Sequence, residues 1–261
     1  MSAPLRERLY QTDAIILRRI DLNEADRILT IYTPQRGKYN VIAKGSRRPS
    51  SRMGPHVELL SRTKLMLAKG RDLDVVSGAE LAQSHQRLHT DLDAYSHACH
   101  FVEMLLRMTE ERQENAAIYD LLSSSLQLLD DGIEPFAVTR HFELVLLALL
   151  GYRPELYRCL NCDTELTAER NALSNRMGGM LCPRCVTADA GAFPLTINAQ
   201  KYLRTLDRSG LAAAVRLPLD QSLKNELEGA LAGYIRFHAE RDLQSLKVWH
   251  AMDEASSPQP R

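Results

Sequence analysis

The sequence predicts an α+β multidomain protein: an N-terminal OB-fold β-barrel, then an α-helical body into which a four-cysteine zinc ribbon is inserted. Three observations carry this reading. Up to about residue 82, apolar residues alternate in short runs between turn formers, which is the period of strands. From about residue 90 they recur at steps of three and four, the period of helices. Within the helical part, two C-x-x-C pairs stand at Cys159/Cys162 and Cys182/Cys185.

The strands come first. "DAIILRRI" from Asp13 is a short apolar run. "DRILTIYT" (26–33) and "KYNVIAKG" (38–45) alternate, with Tyr39, Val41 and Ala43 on one face and Asn40, Ile42 and Lys44 on the other. "TPQRG" between them holds Pro34 and Gly37, residues that a hairpin turn favours. "VELLSRTKLMLAKG" (57–70) and "LDVVSGAEL" (73–81) supply two more strands, joined at Gly70. Five short strands over residues 1–82 predict a small closed barrel, and the OB-fold is the common five-stranded solution.

The helices follow. Residues 83–158 form the first part of the helical body, beginning with a helix over about 90–112 whose stripe is Leu92, Tyr95, Cys99, Val102 and Leu106. Asn115–Leu129 and Pro135–Leu150 repeat the signature, with Gly132 and Pro135 punctuating the gap. The ribbon occupies 159–186. The second helical part, 187–250, holds a helix over 196–209 that Gly210 ends, and another that Asp220 caps. The latter carries Leu223, Leu227, Leu231, Tyr234 and Phe237 on one stripe. Residues 251–261 hold no core positions and are expected to be disordered.

Charge is unevenly placed. The 261 residues carry 33 Lys and Arg against 33 Asp and Glu, yet residues 1–80 hold 15 basic side chains and 9 acidic, leaving a surplus of basic charge there. Between Arg36 and Arg71 the basic residues number ten and the acidic one, Glu58. A basic module beside an acidic body fits a polyanion partner. The N-terminus lacks the apolar run of a signal peptide, and "FELVLLALLGY" is half the length of a membrane span. With four cysteines in metal spacing, a reducing cytoplasm is the expected compartment. The common glycine-rich phosphate loops and a Ser-His-Asp signature are missing from the sequence, so no nucleotide hydrolysis is expected.

The cysteines are the sharpest signal. Two residues between each pair let both sulfurs meet one tetrahedral ion from a tight turn, so Cys159, Cys162, Cys182 and Cys185 read as ligands of one structural Zn2+. Four thiolates close the shell and leave no place for an activated water. "HFE" at His141–Glu143, followed by Cys159 and Cys162, imitates a zinc deaminase signature. Arg158 stands where that signature has proline, and the second cysteine pair would go unexplained. His141 therefore reads as an ordinary helix histidine. "HACH" at His97–His100 resembles a ligand cluster, but Cys99 falls on the apolar stripe and reads as a buried thiol.

The second signal is "KGSRRPSSRMG" (44–54), a loop of cations and hydroxyls suited to phosphate oxygens. With it, Arg36, Lys38, Lys44, Arg47, Arg48, Arg52, Lys64 and Arg71 form the candidate nucleic-acid face. Tyr32 and Tyr39 either stack bases, as OB-folds allow, or belong to the core.

Two stretches are similar to those of a known family. "NEADRILTIYTPQRGKYNVIAKGSRRPSSR" (23–52) resembles the barrel signature of the bacterial RecO DNA-repair family. "FELVLLALLGYRPELYRCLNC" (142–162) with "CPRC" resembles that family's helix-and-cysteine segment. Asn23 departs from the usual glycine, at a turn position that asparagine tolerates. The resemblance covers nearly the whole chain and implies a recombination mediator that is not an enzyme. Such a protein binds single- and double-stranded DNA and anneals complementary strands in the cytoplasm, at the nucleoid. It acts with RecR to load RecA on DNA coated by single-strand-binding protein, in a pathway linked to RecF. It also implies a pocket for the acidic C-terminal tail of single-strand-binding protein, for which Arg140 and Arg204 are the candidate rim cations. Two other readings remain open at this point: a zinc-ribbon RNA- or DNA-binding regulatory factor, and the zinc deaminase.

Overall fold

The computed structural model describes residues 9–239. Five strands, β1 (Leu9–Leu22), β2 (Asp26–Thr33), β3 (Gly37–Ala43), β4 (Arg62–Ala68) and β5 (Asp74–Gln83), form a closed barrel in the order β1-β2-β3-β5-β4. All neighbouring pairs are antiparallel except β3 and β5, which run parallel where Val41 meets Asp74. That order is the Greek-key barrel of the OB type. β1 is long because it serves two neighbours, and a register shift between Ile16 and Arg18 lets it turn from one to the other. Alternate residues fill the interior, among them Ala14, Ile16, Leu29, Ile31, Val41 and Leu65. Tyr39 is one of them, and Tyr32 is buried as well, so neither ring is available to a base.

The turns obey local chemistry. Asn23 takes φ 53°, the left-handed conformation that its place between β1 and β2 requires. Gly37 takes φ 59°, and a Cβ there would lie 2.0 Å from the Gln113 carbonyl oxygen. The expected long fourth strand is shorter than its apolar pattern. Gly54–His56 form a 3-10 turn, and Leu60 adopts φ 64° before β4 starts at Arg62.

The helices are α1 (Leu92–Met108), α2 (Ala116–Asp130), α3 (Pro135–Leu149), α4 (Ile197–Ser209), the single turn α5 (Leu211–Ala214) and α6 (Gln221–Ala239). Side chains of Asp91, Asn115, Glu134 and Thr196 accept from the backbone N–H three residues on, capping α1 to α4. Asp220 does the same for Leu223 at 2.8 Å, as expected. The stripe assigned to α1 is rotated. Leu92 is exposed and Cys99 half-buried, whereas Ala94, Ala98, Phe101 and Leu105 are buried together with His97 and His100. Apolar residues lie on both sides of that stripe, and small alanines mark the packed face as much as Phe101 and Leu105 do. The chain around the cysteines carries a small sheet, β6 (Ala172–Ser174), β7 (Gly179–Leu181) and β8 (Phe193–Pro194), in the order β7-β6-β8. Its strands are too short for a two-residue period to register.

Packing divides the chain into two compact units. One comprises Met1–Ala98 with Met104–Asp131, the other Cys99–Glu103 with Gly132–Arg261. The expected boundary near residue 82 follows the change from strand to helix, but α2 and both ends of α1 pack in the barrel's unit. Arg62 on β4 reaches Ser123 on α2 at 3.5 Å, and Lys38 reaches the end of α1. The end of the expected second helical part, 240–250, and the tail 251–261 expected to be disordered lie outside the described residues.

Candidate metal centre and basic loop

The four cysteine sulfurs lie within 4.8 Å of one another. Each pair sits on a tight turn. In the first, the Asp163 N–H donates to the Cys159 carbonyl at 2.8 Å, and Asp163 takes φ 55°. In the second, the Cys185 N–H donates to the Cys182 carbonyl at 2.9 Å. The turns are brought together by β7, whose Met180 carbonyl accepts from the Leu160 N–H at 3.0 Å. Gly179 makes this approach possible, since a Cβ there would lie 2.6 Å from the Glu155 carbonyl oxygen.

The spacing fits a metal. A tetrahedron with bonds of about 2.3 Å has sulfur–sulfur edges of about 3.8 Å, and Cys162 and Cys182 sulfurs stand 3.8 Å apart. Backbone and side-chain donors face the sulfurs, as thiolates require. The Cys182 N–H donates to Cys159 at 3.3 Å, and the Asn161 amide to Cys185 at 3.4 Å. The Thr164 hydroxyl beside Cys162 and the Thr164 backbone N–H bring that thiol down to about 6. Burial pushes Cys159 up, but the N–H groups of Cys182, Cys162 and Asn161 outweigh it and leave the thiol below its ordinary value. Cys185 goes the other way. Despite the Asn161 amide, the neighbouring thiols push it up to about 11. Four adjacent sulfurs resist full ionisation until a cation balances them, and the donor set is one that Zn2+ takes. All four ligand positions are supplied by the chain.

The deaminase reading ends here. Glu143 is fully buried, 3.0 Å from the Arg140 guanidinium and 2.8 Å from His100 Nε2. It is held in an ion cluster of α1 and α3, with no room for the proton shuttling that a deaminase needs. His141 is half-buried, and burial lowers its basicity.

The eight candidate DNA residues do not form one face. Lys44, Arg47, Arg48 and Arg52 are exposed on the loop after β3. That loop is tied to the β1–β2 turn: the Gly45 N–H donates to Asp26 at 2.7 Å, the Arg47 N–H to the Ala25 carbonyl at 3.0 Å, and the Arg47 guanidinium to the Asn23 carbonyl at 2.8 Å. Arg36 and Arg71 sit at the opposite ends of the strands. Arg36 lies over the Tyr10 ring at 4.3 Å and 3.5 Å from Asp74, and Arg71 is almost wholly exposed beside Asp72. Lys64 is exposed on β4 but stands in register between Asp13 on β1 and Glu80 on β5, so its charge is offset.

Lys38 must be withdrawn from the set. It is only 7% exposed, and its ammonium donates to the carbonyls of Leu105, Leu106 and Thr109 at 3.3, 2.7 and 2.6 Å. Burial lowers its basicity, partly offset by Glu111. It caps the C-terminus of α1, the negative end of a helix dipole. Arg140 must be withdrawn as a rim cation, since it is fully buried against Glu143 and 5.0 Å from the centre of the Phe136 ring. Arg204 is half-buried, with Nε donating to the Leu156 carbonyl at 2.9 Å, and it lines a groove along α4. The sequence reading missed a second groove of about 290 Å³, lined by Leu144, Val145, Ala148, Leu149, Arg153 and Leu206. The surplus of apolar residues near the end of α3 was its only signal.

Comparison with known proteins completes the description. Residues 7–85 match the family described as "Recombination protein O N terminal", and residues 89–247 the one described as "Recombination protein O C terminal". The chain is similar to the DNA repair protein RecO of Roseiflexus, 40% identical over 93% of this chain and 85% of the relative. It is likewise similar to the DNA repair protein RecO of Dehalococcoides mccartyi, 35% identical over 91% and 93%. The DNA repair protein RecO of Desulforudis audaxviator is 34% identical over 95% and 99%.

Proposed function

The chain belongs to the RecO family of DNA repair proteins, and on that footing we propose that it is a recombination mediator working on DNA without chemical catalysis of its own. It binds single- and double-stranded DNA, anneals complementary strands, and with RecR helps to load RecA onto DNA covered by single-strand-binding protein, in the RecF pathway. The exposed cations of the loop after β3 are the observation that carries the DNA-binding part. Lys44, Arg48 and Arg52 project from a loop that the β1–β2 turn holds rigid, so phosphate oxygens meet donors already in place. Arg47 is half committed to Asn23 and Asp21 and acts as much to hold the loop as to touch DNA. Zn2+ on Cys159, Cys162, Cys182 and Cys185 ties the ribbon together and takes no part in a reaction.

The acidic tail of single-strand-binding protein suits the groove at the end of α3. Its apolar walls can bury a terminal ring, and Arg153 at the rim, though paired on one side with Asp207, keeps an exposed edge of its guanidinium for the carboxylate. A fluorescent tail peptide should bind the full chain and lose binding on Val145→Glu; unchanged anisotropy in that variant places the peptide elsewhere.

A salt titration tests the DNA reading. Replacing Lys44, Arg48 and Arg52 by Ala should weaken binding to every sequence alike. It should also flatten the double-logarithmic salt slope by about 0.9 per lost contact on duplex and about 0.7 on single strands. A variant with unchanged slope would show that the loop is only a solvated surface.

A further inference from the structure

The groove along α4 has chemistry that the barrel loop does not explain. It encloses about 410 Å³, and Lys201, Arg204 and Arg208 stand along it with Thr205, Ser209 and Ile197. These cations follow one another at three and four residues, so they share one helix face and span about 10 Å. Arg208 is fixed with its guanidinium 3.8 Å above the Tyr157 ring, and Arg204 lies 5.5 Å from the same ring. Among the described residues, no acidic side chain lines this groove. Asp207, on the same helix, lines the groove at the end of α3 instead and accepts from Arg153 at 2.6 Å and from the Tyr157 hydroxyl at 2.9 Å. One donor is left over. Arg204 Nη2 is shielded from solvent and has no hydrogen-bond partner among the described residues.

We propose that this face of α4 is a second DNA-binding site, taking the phosphodiester backbone of a nucleic-acid strand. It extends the DNA-binding reading above, on which it rests. A row of cations on an open helix face meets successive phosphates of a strand, whereas an acidic peptide ending in a ring needs an enclosed apolar slot. Among the described residues, Ile197, 51% exposed, is the only large apolar side chain lining this groove, too little to bury such a ring. Two separate backbone sites on one chain give it the means to hold two strands at once, which annealing requires.

The test uses the full chain. Lys201→Ala with Arg208→Ala should lower the salt slope on single-stranded DNA by about 1.4, two contacts at about 0.7 each, and slow the annealing of complementary strands. The variant lacking Lys44, Arg48 and Arg52 should keep a residual slope that these changes then remove. Lys201→Glu covers the case in which loss of Arg208 disturbs Tyr157. Its side chain is exposed, so melting temperature and zinc content should hold while DNA affinity falls severalfold. Unchanged slope and annealing in both variants, with the fold intact, overturns the proposal. So does loss of acidic-peptide binding with DNA binding untouched, which would make the groove a peptide site. A wild-type chain that binds no DNA would sink the underlying DNA-binding reading as well, and that result is separable because it needs no variant.

Discussion

Lys38 illustrates how a single residue's role is decided by what covers it. Its alternation on β3 with Asn40 and Ile42 places it on the outer face, and that much is legible in the sequence. That the end of α1 sits over it depends on contacts some seventy residues apart, which no local pattern records. Lys38→Ala is expected to cost about 1–3 kcal/mol, because three carbonyls lose a charged donor at a buried site. The DNA salt slope should not change. Denaturant melts of wild type and variant, set beside the salt titration, separate the two roles; a normal melt with a flattened slope would restore Lys38 to the DNA face. Arg140 teaches the same lesson. Its charge was legible, but its burial against Glu143, which His100 also meets, required the fold.

At the scale of elements, the sequence was most readable where the signal is local. Thr196 and Gly210 bound α4, Asp220 starts α6, and the cysteine spacing predicts a cluster that the sulfurs do form. It was least readable where the choice of face depends on a partner, as for α1, whose packed side is marked by alanines. The ribbon's own sheet has strands of only two or three residues, so even with Leu173, Met180 and Leu181 buried it has few backbone pairs to hold it. Its order should therefore depend on the metal, whose binding in isolated zinc peptides is worth roughly 10–16 kcal/mol. Elemental analysis should find one zinc per chain, and Cys159→Ser should lose it along with several degrees of melting temperature. A purified chain that holds less than about a tenth of an equivalent yet melts normally would contradict this.

For the whole molecule, the two family matches meet between residues 85 and 89, but the packing does not divide there. The barrel's unit includes α2 and the ends of α1, through Lys38, Arg62 and the close approach of Gly37 to Gln113. A fragment of residues 1–85 should thus be markedly less stable than the same residues in the full chain. Amide hydrogen exchange along β2 and β3 would report this as faster exchange in the fragment; equal protection would mean that the barrel stands alone. The middle turn of α1, Cys99–Glu103, belongs to the other unit, while the residues on either side of it belong to the first. A helix with such divided membership restricts how the gene can be cut and joined. A crossover in the linker that looks like a seam would deliver a barrel without its cover. One placed after α2 would carry away a turn that the other half needs. The halves are therefore expected to be inherited together, diverging as a pair rather than being traded as cassettes.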